Sequence, residues 1–130
     1  MPGAYDVVVI GGGPAGLMAA RGLARAGHGV AVLEEHAEIG YPVHCTGLLG
    51  LEAFDELDLP RRTILSIVRA ASFRAASGRS VLISADDVSA AVVDRGAFDT
   101  ALACEARAAG AVVRTEARVT TIEADDRAVR

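Results

Sequence analysis

Residues Asp6 to Glu35 read DVVVIGGGPAGLMAARGLARAGHGVAVLEE, a strand, a glycine turn, a helix and a second strand in succession. Val7, Val8, Val9 and Ile10 form a continuous β-branched run, the pattern of a parallel strand buried on both faces. Gly11, Gly13 and Gly16 follow with G-x-G-x-x-G spacing. In that spacing the first glycine permits a tight turn, the second lets the main chain approach a pyrophosphate, and the third lets the helix pack closely on the strand. Pro14 suits the opening of the helix, because it lacks an N–H that would have no intrahelical partner there. The helix N-terminus offers free N–H groups and roughly half a positive charge, which makes it an anion site without any basic side chain.

The helix is predicted to run to about Ala26, burying Gly16, Ala20, Leu23, Ala24 and Gly27 and turning Arg21 and Arg25 away. Gly27 and Gly29 end it, and Val30 to Leu33 make the second apolar strand. Glu34 stands at the carboxyl end of that strand, 23 positions after Gly11. An acid about 20 positions on is the one expected to hold a ribose hydroxyl, with Glu35 the fallback. Such an acid disfavours a 2′-phosphorylated ribose. Glycine-rich turns are common, so the weight rests on the agreement of strand, helix, second strand and acid.

At 130 residues the chain is long enough for one domain with a real core and short for a two-domain enzyme. No uninterrupted apolar run approaches the ~20 residues of a transmembrane helix. MPGAYD carries no basic residue before the first apolar run, so no signal peptide is read and the expected location is cytoplasmic. The net charge of −4 and the scattered arginines argue against a nucleic-acid surface. Cys45 and Cys104 form no C-x-x-C pair, and with His28, His36 and His44 they make no close cluster, so no metal site is expected.

HAEIGYPVHCTGLLG, after Glu35, has no helical or alternating period and is predicted to be loop, at the sheet edge where ligands bind. Leu51 to Leu57 suits a short helix ended at Leu59-Pro60. Ile64 to Ser84 reads as a β-hairpin, with strands over Ile67 to Ala76 and Ser80 to Ile83 and a Ser77-Gly78 turn. Asp86-Asp87 signals a second turn and Ala90 to Val93 a short strand. A helix is predicted from about Ala97 to Ala109, with Asp99 in its first turn and Gly110 closing it. Ala111 to Arg114 and Val119 to Glu123 are the remaining predicted strands, with a turn at Asp125-Asp126. The fold class is therefore α/β, a Rossmann-like dinucleotide-binding parallel sheet with an inserted β-hairpin region over residues 36–93.

Three blocks together resemble the geranylgeranyl reductase family of FAD-dependent oxidoreductases, within the class sharing the para-hydroxybenzoate hydroxylase fold. The first, VVVIGGGPAGLMAARGLARAGHGVAVLEE, is common to many FAD proteins; the second, IGYPVHCTG at Ile39 to Gly47, is more particular; the third is VVDRGAFDTALACEARAAGA at Val92 to Ala111. The resemblance implies FAD as cofactor, hydride transfer through the flavin and reduction of prenyl double bonds. It implies that Gly11, Gly13, Ala15 and Gly16 form the pyrophosphate turn and that Glu34 binds the adenosine ribose. Cys45, Thr46 and Gly47 would lie along the flavin, Arg95 near the ribityl or pyrophosphate, and Val119 against the adenine.

Arg95 also stands on chemistry, since its planar fork suits phosphate oxygens; the plain alternative is an ion pair with Asp94 or Asp99. Cys45 is expected to touch cofactor without covalent chemistry, against the simpler role of a small loop residue, and Cys104 is expected to pack on its helix. No catalytic proton donor is assigned. The implied partners are a small-molecule or prenyl-lipid substrate and NAD(P)H or another electron donor, with membrane association if the substrate is a lipid. The family's later Gly-Asp flavin contact and substrate sheet have no match here, so the chain reads as an amino-terminal part. The alternatives are an NAD-linked dehydrogenase and a non-catalytic, truncated nucleotide-binding fragment.

Overall fold

The structure, a computed structural model, describes residues 4–84 and 89–125. In chain order the elements are β1 (Val7–Ile10), α1 (Pro14–Arg25), β2 (Val30–Leu33), β3 (Leu48–Gly50), α2 (Ala53–Glu56), a 3₁₀ turn (Arg61–Thr63), β4 (Ile64–Val68), β5 (Ala70–Arg74), β6 (Ser80–Ser84), β7 (Ala90–Val93), α3 (Arg95–Ala108) and β8 (Val112–Arg114). The chain divides into two compact units, Met1–Pro42 with Asp99–Arg130, and Val43–Phe98.

The first unit holds a parallel sheet in the order β1-β2-β8, with Val7 to Ile10 paired to Val30 to Leu33 and Ala31 to Leu33 paired to Val112 to Arg114. This is the expected α/β arrangement. Leu17, Val30, Val32 and Leu102 are its largest fully buried side chains, each contributing about 1.5–3 kcal/mol by burial. Ala20, Ala103 and Ala106 are buried with them. At the end of α1 the His28 N–H donates to the Leu23 carbonyl and the Gly27 N–H to Ala24. At the end of α3 the Ala111 N–H donates to Ala106 and the Gly110 N–H to Arg107. Both are Schellman closures placed where the glycines predicted them.

Several expectations for this unit change. Strand β2 is buried throughout its first three residues, but β1 alternates, with Val8 51% and Ile10 54% exposed. Among the described residues β1 lies at one end of the strand order, and α1 packs on it. A β-branched run therefore marked a strand without deciding how many of its faces are covered. In α1 the buried residues are Leu17, Ala20 and Arg21, while Leu23 and Ala24 are half-buried. Arg21 is only 6% exposed, because its guanidinium reaches Glu105 of α3 at 2.6 Å. The face of α1 thus includes a charge that a count of apolar residues assigns to solvent.

Helix α3 begins at Arg95, two residues before the predicted start. Asp94 caps it: its Oδ1 accepts the Ala97 N–H at 3.0 Å and its carbonyl accepts the Phe98 N–H at 2.7 Å. Asp99 consequently lies past the first turn, buried, where it does not serve as a first-turn acid. Cys104 is exposed rather than a packing residue. Val119 to Glu123 forms no strand among the described residues, since alternation supplies side-chain pattern and a strand also needs a partner edge.

The second unit carries an antiparallel sheet in the order β3-β7-β4 and a separate β5-β6 hairpin. Strand β3 replaces the end of the predicted loop: Leu48 to Gly50 pairs with Val92 to Ala90. The single strand predicted over Ile67 to Ala76 is two strands, because β4 pairs with β7 and only Ala70 to Arg74 pairs with Ser84 to Ser80. The Ser77-Gly78 turn stands as expected, with the Gly78 N–H donating to Ala75. Phe54 and Phe98 meet edge to face, their centroids 6.4 Å apart, and the Arg61 guanidinium lies 5.8 Å over Phe54. The Asp86-Asp87 turn and Asp126 lie outside the described residues.

Candidate cofactor-binding site

In the first unit, Gly11 ends β1 with φ +102° while its N–H donates to the Leu33 carbonyl at 2.8 Å, so the turn leaves the sheet only after tying β1 to β2. That backbone conformation is strained for any residue with a Cβ. Gly13 is the N-cap of α1 and supplies no side-chain cap; Pro14 follows and the first turn contains no acid. The early N–H groups of the helix therefore have no side-chain cap, an arrangement that suits an anion.

The two later glycines of the motif differ in what a side chain would meet. A Cβ on Gly13 would enter open space, whereas one on Gly16 would run into the Gly11 carbonyl oxygen and lie 3.1 Å from Val9 Cγ1. Gly16 thus sets helix against strand, whereas nothing among the described residues packs against the Cβ position of Gly13. Gly12 has a role the spacing rule did not assign. It is buried, and a Cβ there would lie 2.6 Å from Ile39 Cδ1 and 3.0 Å from Glu34 Cβ. The signal was present as the middle glycine of Gly11-Gly12-Gly13, but its meaning depends on a residue 22 positions away.

That residue is Glu34. Its Oε2 accepts the Gly12 N–H at 2.7 Å, and its Oε1 accepts the His36 N–H at 2.9 Å and lies 2.6 Å from His36 Nδ1. Burial pushes the carboxyl up, but the His36 and Gly12 main-chain donors and the His36 imidazole outweigh it, holding Glu34 below the usual carboxylate range. Main-chain bonds brace the same position: Glu34 N–H to the Arg114 carbonyl at 2.9 Å, and Ala117 N–H to the Glu34 carbonyl at 2.8 Å. An ionised carboxylate therefore stands fixed beside the glycine turn. Glu35, the fallback, is exposed and lies 3.4 Å from Arg118.

Ala15 is exposed in the first turn of α1, and Val119 is half-buried in a segment without regular structure. In the second unit, Cys45 and Thr46 are exposed and Gly47 is buried with φ +74°. The Cys45 sulfur lies 3.5 Å from the Gly47 nitrogen, and the Val93 N–H donates to the Gly47 carbonyl at 2.9 Å. A Cβ on Gly47 would lie 2.5 Å from the Val93 carbonyl oxygen and 3.2 Å from Arg95 Cγ. The Cys45-Thr46-Gly47 turn and the start of α3 at Arg95 are thus brought together within this unit. Among the described residues, no cluster of three His, Cys, Asp or Glu side chains is placed to hold a metal, and no helix is long and apolar enough to cross a membrane.

The donor set fits a dinucleotide. The helix start has no side-chain cap, a Cβ on Gly13 would meet nothing, and an acid stands at the tip of β2, the combination a dinucleotide's phosphate and ribose require. Residues 4–130 match the model of a family described as FAD binding domain. A digeranylgeranylglycerophospholipid reductase of Methanoculleus marisnigri is 36% identical over 130 residues, which is 97% of this chain and 33% of that protein. The reductase of the same name from Methanosarcina mazei is 35% identical over 94% of the chain. The crystal structure of a geranylgeranyl bacteriochlorophyll reductase-like protein from Thermoplasma acidophilum is similar with a TM-score of 0.84 and 32% identity, over 96% of this chain and 33% of that one. The halogenase PltM in complex with phloroglucinol and FAD, 20% identical with a TM-score of 0.71, shares the fold. The chain spans about a third of the length of the curated relatives it matches. The family match over residues 4–130, on a chain that folds as the parallel sheet and glycine turn described above, means that this chain belongs to the FAD-binding domain family and that its cofactor is FAD.

Proposed function

We propose that the chain is the FAD-holding part of an oxidoreductase that passes hydride through the flavin to the double bonds of a prenyl lipid. The observation that carries the reading is the glycine turn with Glu34 pinned across it by the Gly12 N–H. The relatives from Methanoculleus marisnigri and Methanosarcina mazei, named for reduction of a digeranylgeranyl phospholipid, support the substrate class. When bound, FAD supplies the hydride chemistry, and the protein binds and orients it.

In this reading Gly11, Gly13, Ala15 and Gly16 line the pyrophosphate, and Glu34 accepts a hydroxyl of the adenosine ribose. Val119 meets the adenine through its main chain. Cys45, Thr46 and Gly47 run along the flavin, with Arg95 toward the ribityl and phosphate part. Residues 1–130 serve as the amino-terminal part of the FAD-binding domain, the 36–93 segment being its insertion. NAD(P)H or another reductant supplies electrons, and the protein works in the cytoplasm or at a membrane surface where its lipid resides.

The test is to load the protein with FAD, reduce it with dithionite without oxygen, and add a geranylgeranyl phospholipid in detergent. Reoxidation of the flavin, with one hydrogen pair gained per reduced double bond by mass spectrometry, is the expected result. A reduced flavin that persists with unchanged lipid, while oxygen still reoxidises it, would remove the prenyl-reductase reading.

A further inference from the structure

The acid at the tip of β2 is held by more than the glycine turn. Glu34 is 13% exposed at its side chain, and three donors converge on it: the Gly12 N–H on Oε2, and the His36 N–H and imidazole Nδ1 on Oε1. A carboxylate offers about four acceptor positions, so this set leaves room for a further donor. The two main-chain donors come from the fixed backbone. The imidazole is the one side chain in the set, and its 2.6 Å contact requires the proton on Nδ1 whenever the ring is neutral.

His36 is itself held in place. Its carbonyl accepts the Glu116 N–H at 3.0 Å, one residue before the Ala117 N–H that bonds the Glu34 carbonyl. The segment after β8 thus ties down both members of the pair, while the imidazole keeps 48% of its surface open. Glu35, the residue between them, is directed to Arg118 and does not compete for the ring contact described here. The short, charge-assisted contact on Oε1 fixes the rotation of the carboxylate about its last bond, which decides where the remaining acceptor position points.

We propose that His36 is a positioning residue for Glu34: its imidazole orients the carboxylate to receive a hydroxyl of the adenosine ribose. This rests on the FAD-binding reading of the glycine turn. The ring touches Glu34 and acts on the cofactor only through it, so its contribution depends on the ribose hydroxyls being present.

The experiment is a ligand and protein cycle on the whole chain, measured by calorimetric titration. The ligands are ADP, which keeps the ribose and pyrophosphate of FAD, and 2′,3′-dideoxy-ADP, which lacks the hydroxyls. The expected result is that His36→Ala weakens ADP by about three- to tenfold and leaves dideoxy-ADP unchanged. His36→Asn, whose amide can donate from a similar place, stays within about twofold of the parent for ADP. Equal weakening of both ligands by His36→Ala would reduce His36 to a general structural role, and no weakening of either would remove the role altogether. A parent chain that binds neither FAD nor ADP defeats the cofactor reading first, and the proposal with it.

Discussion

The first compact unit and the β5-β6 hairpin of the second use their apolar residues in opposite ways. In the first, Leu17, Val30, Val32 and Leu102 are fully buried and the small residues of α1 and α3 bring the backbone close. In the second, the β5-β6 register puts Ala71, Phe73, Val81 and Ile83 on one face of a hairpin, and Phe73 and Val81 remain 61% and 62% exposed. A nucleotide-binding turn needs sub-ångström placement of main-chain N–H groups, and the well-filled core is where that turn is anchored. A two-stranded hairpin is marginal by itself in water, and it contributes pattern rather than rigidity.

Removing core volume separates the two regions most directly. Leu102→Ala is expected to destabilise by about 2–5 kcal/mol in urea unfolding. Leu82→Ala, at a hairpin position 70% exposed, should stay within about 0.5 kcal/mol. Comparable losses at the two positions would mean that the hairpin is part of the folding core after all.

Next in size is Glu105→Ala, which removes the 2.6 Å ion pair between Glu105 and the buried Arg21. The expected loss is about 2–3 kcal/mol, below the full penalty for a buried pair because Glu105 is 27% exposed. A double substitution replacing Arg21 with Leu as well should recover part of it. If Glu105→Ala were neutral by thermal denaturation, the pair would not be what joins α1 to α3.

Gly16→Ala should cost about 1–3 kcal/mol, since the new Cβ meets the backbone carbonyl of Gly11 and one of them has to move. Thermal melting compared with Gly13→Ala, which meets open space, separates packing from ligand access: the second should melt close to the parent.

A smaller effect belongs to pH. Glu34 ionises below its ordinary value of 4.5, so the stability it contributes is fully present above that value and is lost as pH falls through its folded pKa. Glu34→Gln is expected to be less stable than the parent by about 1 kcal/mol at neutral pH, with the gap closing in acid. A gap that stayed constant from neutral pH to pH 3 would mean that the carboxylate's charge is not what its donors hold.

The nucleotide core was legible because its signals are local. The glycine spacing, the apolar runs flanking α1, the closing glycines of both helices and the acid at the tip of β2 lie within single elements or at their ends. What escaped depends on partners distant in sequence. Arg21 is buried because Glu105 stands 84 residues away, and β3 exists because β7 supplies an edge for three residues of a glycine-rich loop. The split between β4 and β5 follows from β7 claiming the first of them. At the site, Glu34 could be placed by counting from Gly11, but its clasp by Gly12 and His36 could not, because hydrogen-bond geometry has no spacing rule. Asp94, one residue before α3, is a residue type that caps helices, and its Oδ1 does so here.

The most direct test of the account is calorimetric titration of the purified chain and its Gly13→Ala variant with FAD, alongside a melting curve of each without ligand. The expected result is saturable FAD binding by the parent, affinity weakened by about tenfold or more in the variant, and superimposable melting. Undiminished FAD binding by a normally folded Gly13→Ala chain would contradict the claim that the cofactor's pyrophosphate rests on this turn.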